Sequence, residues 1–331
     1  MASLALTLLR GAVRSPFKRP RPDAPLPGPA TARVRTDVDR LVAYERLCGF
    51  AAGPGGGPGP DSGNRSEVGD GDGPTGGAPL PPTYPHVLAF PQTMRLMAAR
   101  DFPLPLLGLV HTSVEIVQHR APLPDEDLEL TTCATRLAPH RRGTEATITT
   151  SAAVAGETVW ESRSTYLSRH RATGERPPDR TPDRAPTTHL PAQADWHLPA
   201  DLGRRYATVS GDRNPIHLHP LTARGFGFPR ALAHGMWTFA RCVAEHQREA
   251  EATYGAGAYL CAYAEFRAPV LLPGTVTYAA EGAAFELRGP TGRVHVTGSV
   301  TRTAPPSDRR DPPRRSSSSS PRPGGRTRTA G

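Results

Sequence analysis

Cysteine is scarce: Cys48, Cys133, Cys242 and Cys261 are the only four in 331 residues, and no two form a CxxC pair. That spacing excludes the common zinc and dithiol signatures and leaves free thiols in a reducing cytoplasm as the expectation. No apolar run approaches the ~18 residues of a membrane span. Lysine is nearly missing, Lys18 being the single one among 40 basic residues. Acids are missing from residues 1–22, which carry Arg10, Arg14, Lys18, Arg19 and Arg21. Seven Arg against two Asp make residues 304–331 equally basic, so with +9 overall the stretch between is close to neutral. A nucleic-acid binder carries its basic stripe on the folded body. Here the excess sits on the ends, and nucleic acid is not an expected partner.

Three stretches lack the apolar content that offsets chain ordering. Residues 53–79 are mostly Gly, Pro, Asp and Ser, 171–189 are rich in Pro and Arg, and 304–331 contain five consecutive serines. They read as a disordered insertion, a linker and a disordered tail. Met1 to Leu9 is a short apolar start followed by arginines, which reads as a frayed basic terminus.

What remains repeats. Tyr44 to Phe50 stands beside Tyr206 to Asp212, Tyr84 to Pro91 beside Phe228 to Gly235, and Val114 to Pro124 beside Ala262 to Pro273. Three matches in the same order argue for duplication of a unit of roughly 110 residues. Apolar residues at helical spacing predict helices over 85–100 and 233–251. Alternating runs predict strands over 129–137, 145–154 and 158–167 in the first copy. In the second they predict strands over 259–266, 275–281, 284–288 and 293–301. Turns are expected at Gly143, Gly156, Gly282 and Gly289-Pro290. One long helix followed by a strand meander predicts an α+β unit, a sheet wrapped on a buried helix.

The most informative stretch is Ser210-Gly-Asp-Arg-Asn-Pro-Ile-His217, followed by Ala233-His-Gly-Met236. It resembles the MaoC-like hydratases, the (R)-specific enoyl-CoA hydratases, whose signature is a Ser-Gly-Asp-x-Asn-Pro-x-His loop and an Ala-His-Gly-Met helix start. The resemblance extends to Leu80-Pro-Pro-Thr-Tyr-Pro-His86 and His119-Arg-Ala-Pro122. It implies a double hotdog fold and reversible syn addition of water to a trans-2-enoyl thioester, carried on CoA or acyl-carrier protein, giving an (R)-3-hydroxyacyl thioester. No cofactor and no metal are implied. By matching positions, Asp212 and His217 become the catalytic pair, with Ser210 and Asn214 behind them. A carboxylate and an imidazole five residues apart across an Asn-Pro bend can converge on one water. Gly235, opening the central helix, would offer its N–H to the thioester oxygen, where charge develops.

The expected organisation is a flexible basic N-terminus over 1–30 and a degenerate N-terminal hotdog over 31–170. A linker over 171–189, a catalytic hotdog over 190–303 and the basic tail over 304–331 follow. The first copy has Phe50 where the second has Asp212, and Pro91, with no N–H, where the second has Gly235. A monomeric pseudo-dimer or a homodimer fits this pattern. His219 reads as a surface residue and His234 as an anchor for the helix start; with Asp212 and His217 they match no zinc signature. Arg120 and Arg267, each before Ala-Pro, read as structural. The competing functions are a hotdog acyl-thioesterase and a non-catalytic acyl-thioester binding module.

Overall fold

The computed structural model describes residues 18–50, 77–170, 189–254 and 259–303. The expected insertion, linker and tail lie outside these apart from 77–79 and 189, as do residues 1–17. In chain order come β1 (Ala30–Val34), α1 (Val38–Cys48), α2 (Tyr84–Ala98), β2 (Leu109–Gln118), β3 (Leu128–His140), β4 (Gly143–Val154) and β5 (Glu157–Arg169). The second half adds β6 (Ala192–Leu198), α3 (Leu202–Ser210), α4 (Pro215–Leu218), α5 (Pro220–Gly225) and α6 (Gly235–Tyr254). It closes with β7 (Tyr259–Phe266), β8 (Gly274–Glu281), β9 (Ala284–Arg288) and β10 (Val294–Thr303). The expected helices and strands are all present, with ends shifted by a few residues.

Ten strands form one antiparallel sheet in the order β1-β3-β4-β5-β2-β7-β10-β9-β8-β6. The first five and the last five follow the same order read from opposite edges. The halves are therefore two copies of one unit, joined where β2 pairs with β7 from Ser113↔Glu265 to Gln118↔Leu260. Alternation along the strands supplies the concave face: Leu128 and Leu130 of β3 point inward and Glu129 outward. α2 and α6 are the two wrapped helices. α6 buries Trp237, Phe239, Ala240, Cys242 and Val243, and α2 buries Val87, Leu88, Leu96 and Met97. One apolar core runs through both halves, joining Leu41, Tyr44 and Trp160 to Tyr206, Trp237 and Phe285. This is the double hotdog architecture. No helix among the described residues is long and apolar enough to cross a membrane.

Two expectations change. Residues 18–30, grouped with a flexible terminus, are packed: Lys18 Nζ donates to Ala99 O at 3.0 Å and the Arg21 N–H to Pro103 O at 2.9 Å. The second repeat match is also out of register. The N–H groups of His119 and Arg120 both reach Val159 O, as those of Arg267 and Ala268 reach His295 O. On that frame Leu80 N–H to Pro122 O, 2.8 Å, corresponds to Ala233 N–H to Val270 O, 2.9 Å. Pro82, not Pro91, then stands opposite Gly235, and Pro91 lies inside α2.

Candidate active site

α3 ends in a left-handed cap at Gly211, φ 79°, whose N–H returns to Ala207 O at 3.0 Å. The chain leaves that cap directly into Asp212. Ser210 Oγ donates to Tyr206 O at 2.8 Å and accepts the Asp212 N–H at 3.1 Å, fixing the exit direction. The Asn214 N–H donates to Asp212 Oδ1 at 3.1 Å. Asn214 Oδ1 is the N-cap of α4, accepting from Ile216 N at 3.4 Å, and Pro215 starts that turn. Asn214 therefore holds the bend, and its backbone rather than its amide touches the carboxylate. A Cβ on Gly203 would collide with the His217 carbonyl oxygen, so glycine there lets α3 and α4 meet.

His217 Nδ1 donates to Leu232 O at 2.9 Å. A carbonyl partner makes Nδ1 the protonated nitrogen and leaves Nε2 with a lone pair. The ring stacks on His234 with centroids 3.8 Å apart. His234, 2 % exposed, donates from Nε2 to the Asp212 carbonyl at 3.0 Å and lies 3.8 Å from its carboxylate. It thus ties the start of α6 to the loop, as an anchor should. One ligand-type atom from each of Asp212, His217 and His234 falls within 4.8 Å of the others. Such spacing could hold a cation: one nitrogen of each ring is engaged by a backbone carbonyl, which leaves the other to ligate. His219 is exposed and N-caps α5, its Nδ1 accepting from Leu221 N at 3.2 Å. Arg120 pairs with Glu126 at 2.9 Å and Arg267 with Glu265 at 2.8 Å, both structural contacts.

Burial sets the charges. It pushes the Asp212 carboxyl up from the usual carboxylate range, against the opposing pull of His217 and the Asn214 N–H. Burial pulls His217 down, with Asp212 and the Leu232 carbonyl opposing, and pulls His234 well down. Burial thus works against charge on both groups, and the two titrate as one unit. Asp212 keeps 29 % side-chain exposure, so it faces an accessible cleft.

Gly235 is the first residue of α6, and its N–H meets no protein acceptor among the described residues. The positive end of a 20-residue helix points with it. A Cβ here would come within 3.1 Å of the Phe266 ring, which would have to shift by a few tenths of an ångström to admit it.

The other half supplies residues that sequence reading missed. Arg40 Nε of α1 donates to Val209 O in the last turn of α3 at 2.6 Å, and its Nη2 lies beside Gly211. Tyr166 of β5 is close enough to feel the Asp212 charge. His111 stacks on Tyr166 at 4.5 Å and meets the Phe266 ring at a tilt, 5.0 Å away. No local motif marks these residues; only the β2–β7 junction brings them here. At the matching point of the first half α1 ends at Gly49, φ 81°, and continues into Phe50.

A family model described as a MaoC like domain matches residues 173–303. The chain is 37 % identical over 208 residues to 3-hydroxyacyl-thioester dehydratase X of Mycobacterium tuberculosis, covering 62 % of this chain and 71 % of that protein. A crystal structure of HtdX from the same organism superposes with a TM-score of 0.63 at 30 % identity, over 82 % of this chain and 98 % of that one. A MaoC-like dehydratase from Phytophthora capsici shares the fold alone, with a TM-score of 0.60 at 17 % identity over 85 % of this chain and 96 % of that one.

Proposed function

Because the chain belongs to the MaoC-like dehydratase family, we propose that its C-terminal half interconverts trans-2-enoyl and (R)-3-hydroxyacyl thioesters, carried on CoA or acyl-carrier protein, through Asp212 and His217. The chain is a hydratase/dehydratase of 3-hydroxyacyl thioesters. The N-terminal half serves as the degenerate partner that closes the pocket.

The chemistry follows from the proton inventory. His217 Nε2, kept basic-side-free by the Leu232 bond, takes a proton from water as its oxygen bonds to the β-carbon. The alkene π pair moves toward the thioester oxygen, where the Gly235 N–H receives the developing charge; such a donor contributes about 3–4 kcal/mol. The enolate then takes a proton at the α-carbon from the Asp212 carboxyl. The proton held by His217 returns to Asp212, restoring both groups. Water and proton come from one side of the substrate plane, which makes the addition syn.

The observation that supports this reading is that Leu232 O holds one ring nitrogen of His217 and leaves the other unengaged, with a ligand-type atom of the ring within 4.8 Å of one from Asp212, close to the start of α6. Crotonyl-CoA incubated with the full chain should lose its enoyl absorbance, and the product should be the (R) alcohol. Release of free thiol would establish a thioesterase, and neither change a binding module. The (S) alcohol would overturn the stereochemical assignment.

A further inference from the structure

The segment from Leu202 to Leu232, which carries the Asp212–His217 loop, is one-sided in charge. It holds five arginines, Arg204, Arg205, Arg213, Arg224 and Arg230, against one carboxylate, Asp212 itself. All five are exposed, and none forms an ion pair among the described residues. Elsewhere on the surface the pattern differs: Arg33, Arg35, Arg120, Arg267 and Arg288 each face a carboxylate. Three of the unpaired guanidiniums are nevertheless held in place. Arg204 Nη1 donates to Leu218 O at 3.3 Å, Arg224 Nε to Pro229 O at 3.4 Å and Arg230 Nη1 to Pro273 O at 2.7 Å. A carbonyl orients a guanidinium but leaves its charge uncompensated and its other N–H groups to donate outward.

The same segment exposes two large apolar side chains. Leu221 of α5 is 66 % exposed, and Phe226, at the C-terminal cap of that helix, 44 %. α5 is fixed to the turn that bears His217: Thr222 Oγ1 donates to Pro215 O at 2.6 Å, and the Ala223 N–H to His219 O at 3.0 Å. The returning chain closes the group, with the Leu232 N–H on Ile216 O at 3.1 Å. Apolar pair and arginines therefore share the small helices that hold the catalytic loop.

Exposed apolar side chains among charges of one sign mark a surface that a partner covers. A small ligand is held in a concave site. Leu221 and Phe226 instead stand out from a short surface helix, which suits a partner that brings a surface of its own. That partner is acidic, to meet the arginines, and it docks where a thioester enters.

We propose that α5 and the arginines around it are the docking surface for an acidic acyl-carrier protein, which presents the enoyl group to Asp212 and His217 on its phosphopantetheine arm. The proposal rests on the hydratase reading for the thioester and chooses between the two carriers that reading leaves open.

The test offers one crotonyl group on three carriers: an acyl-carrier protein, CoA, and pantetheine, which is the arm alone. For the full chain, kcat/KM on the carrier protein should exceed that on pantetheine by about tenfold or more, and added salt should shrink the advantage by screening surface charge. Arg224→Glu combined with Arg230→Glu should lower the ratio of the two values about tenfold, and Leu221→Ser should lower it less. Both values come from one sample, so a loss of folded enzyme cancels in the ratio. A ratio near one in the unaltered chain overturns the proposal, as does a ratio that survives the charge reversal. If CoA holds the advantage and loses it on charge reversal, the arginines serve a nucleotide and the docking surface is wrong. No carrier preference, together with Leu221-dependent sedimentation on phosphatidylglycerol vesicles, would assign the patch to a membrane surface instead. If none of the three crotonyl thioesters is hydrated, the hydratase reading has failed. Calorimetry with the crotonyl-loaded carrier protein then decides docking alone: binding weakened about tenfold by the charge reversal sustains the surface, and absent or unaltered binding overturns it.

Discussion

The two halves share a strand order and part company at two points, the residue after the first helix cap and the residue at the start of the wrapped helix. α1 and α3 both end in a left-handed glycine, Gly49 and Gly211, and the chain then continues into Phe50 in one half and Asp212 in the other. Gly235 opens α6 with a free N–H, whereas Pro82 stands at the corresponding point before α2 with none. Pro82 is engaged through its carbonyl instead, by the indole of Trp160 at 2.7 Å. One frame thus carries chemistry or packing depending on a few residues at its helix ends. What the first half gives up at its own loop it returns across the junction, through Arg40, Tyr166 and His111.

The comparison breaks first at the acid and base. Asp212→Asn and His217→Ala should each lower kcat for enoyl-CoA hydration by on the order of 10³-fold, as loss of a general acid or base does. Phe50→Asp should leave the first half inactive, since no imidazole follows it among the described residues of that loop. Hydration that survives both single changes would remove the assignment.

Copying Pro82 into the second half is the next test. Gly235→Pro deletes the N–H and should cost about 10²–10³ in kcat. Gly235→Ala keeps the N–H but sets a methyl within 3.1 Å of the Phe266 ring. If the two variants lose the same activity, crowding rather than the donor explains the glycine.

Arg40 tests the junction itself. Its guanidinium meets one of the open carbonyls at the C-terminal end of α3, where a cation is favoured, and so holds the turn that aims Asp212. Arg40→Ala should lower kcat about tenfold with a smaller change in KM, because the charge of the pair is untouched and only its aim loosens. Arg40→Lys should recover part of the loss. Equal activity in all three would make Arg40 a surface contact.

The legibility of these features follows their sequence range. The loop from Ser210 to His217 was readable because its chemistry is contiguous, and the wrapped helices and meanders because their periods run long. β1 and β6 were missed: five and seven residues of mostly small or polar character give no clear alternation. β2 was seen only as a repeat fragment, since the bulge at Thr112 interrupts its period. The helix start in the first half was misaligned because a Leu-Ala pair occurs in both segments, and only long-range backbone bonds set the register. Arg40 is 169 residues from its partner Val209, a distance no local pattern spans.

The smallest effect concerns stability and a position where the halves differ silently. Glu45 follows Tyr44 in α1 as Ala207 follows Tyr206 in α3, and both are buried, Glu45 at 8 % exposure. Burial raises the Glu45 carboxyl to about 7 from about 4.5. A folded-state value above the unfolded one means that ionisation favours unfolding. The penalty is absent below about pH 4.5, grows as pH rises, and is complete above about pH 7. Glu45→Gln should therefore gain about 2–3 kcal/mol at pH 8 relative to its effect at pH 4.5, read from denaturant midpoints. His86 and His111 act in the opposite sense. Their folded values of about 4 and about 3 lie below 6.5, so their contribution is intact above about pH 6.5 and drains away as pH falls toward those values. The first half is thus pressed from both sides, and Glu45→Gln should move the pH of greatest stability upward. An unchanged pH–stability curve in that variant would mean that Glu45 is already solvated in the folded protein, and that the two helices differ less than their sequences do.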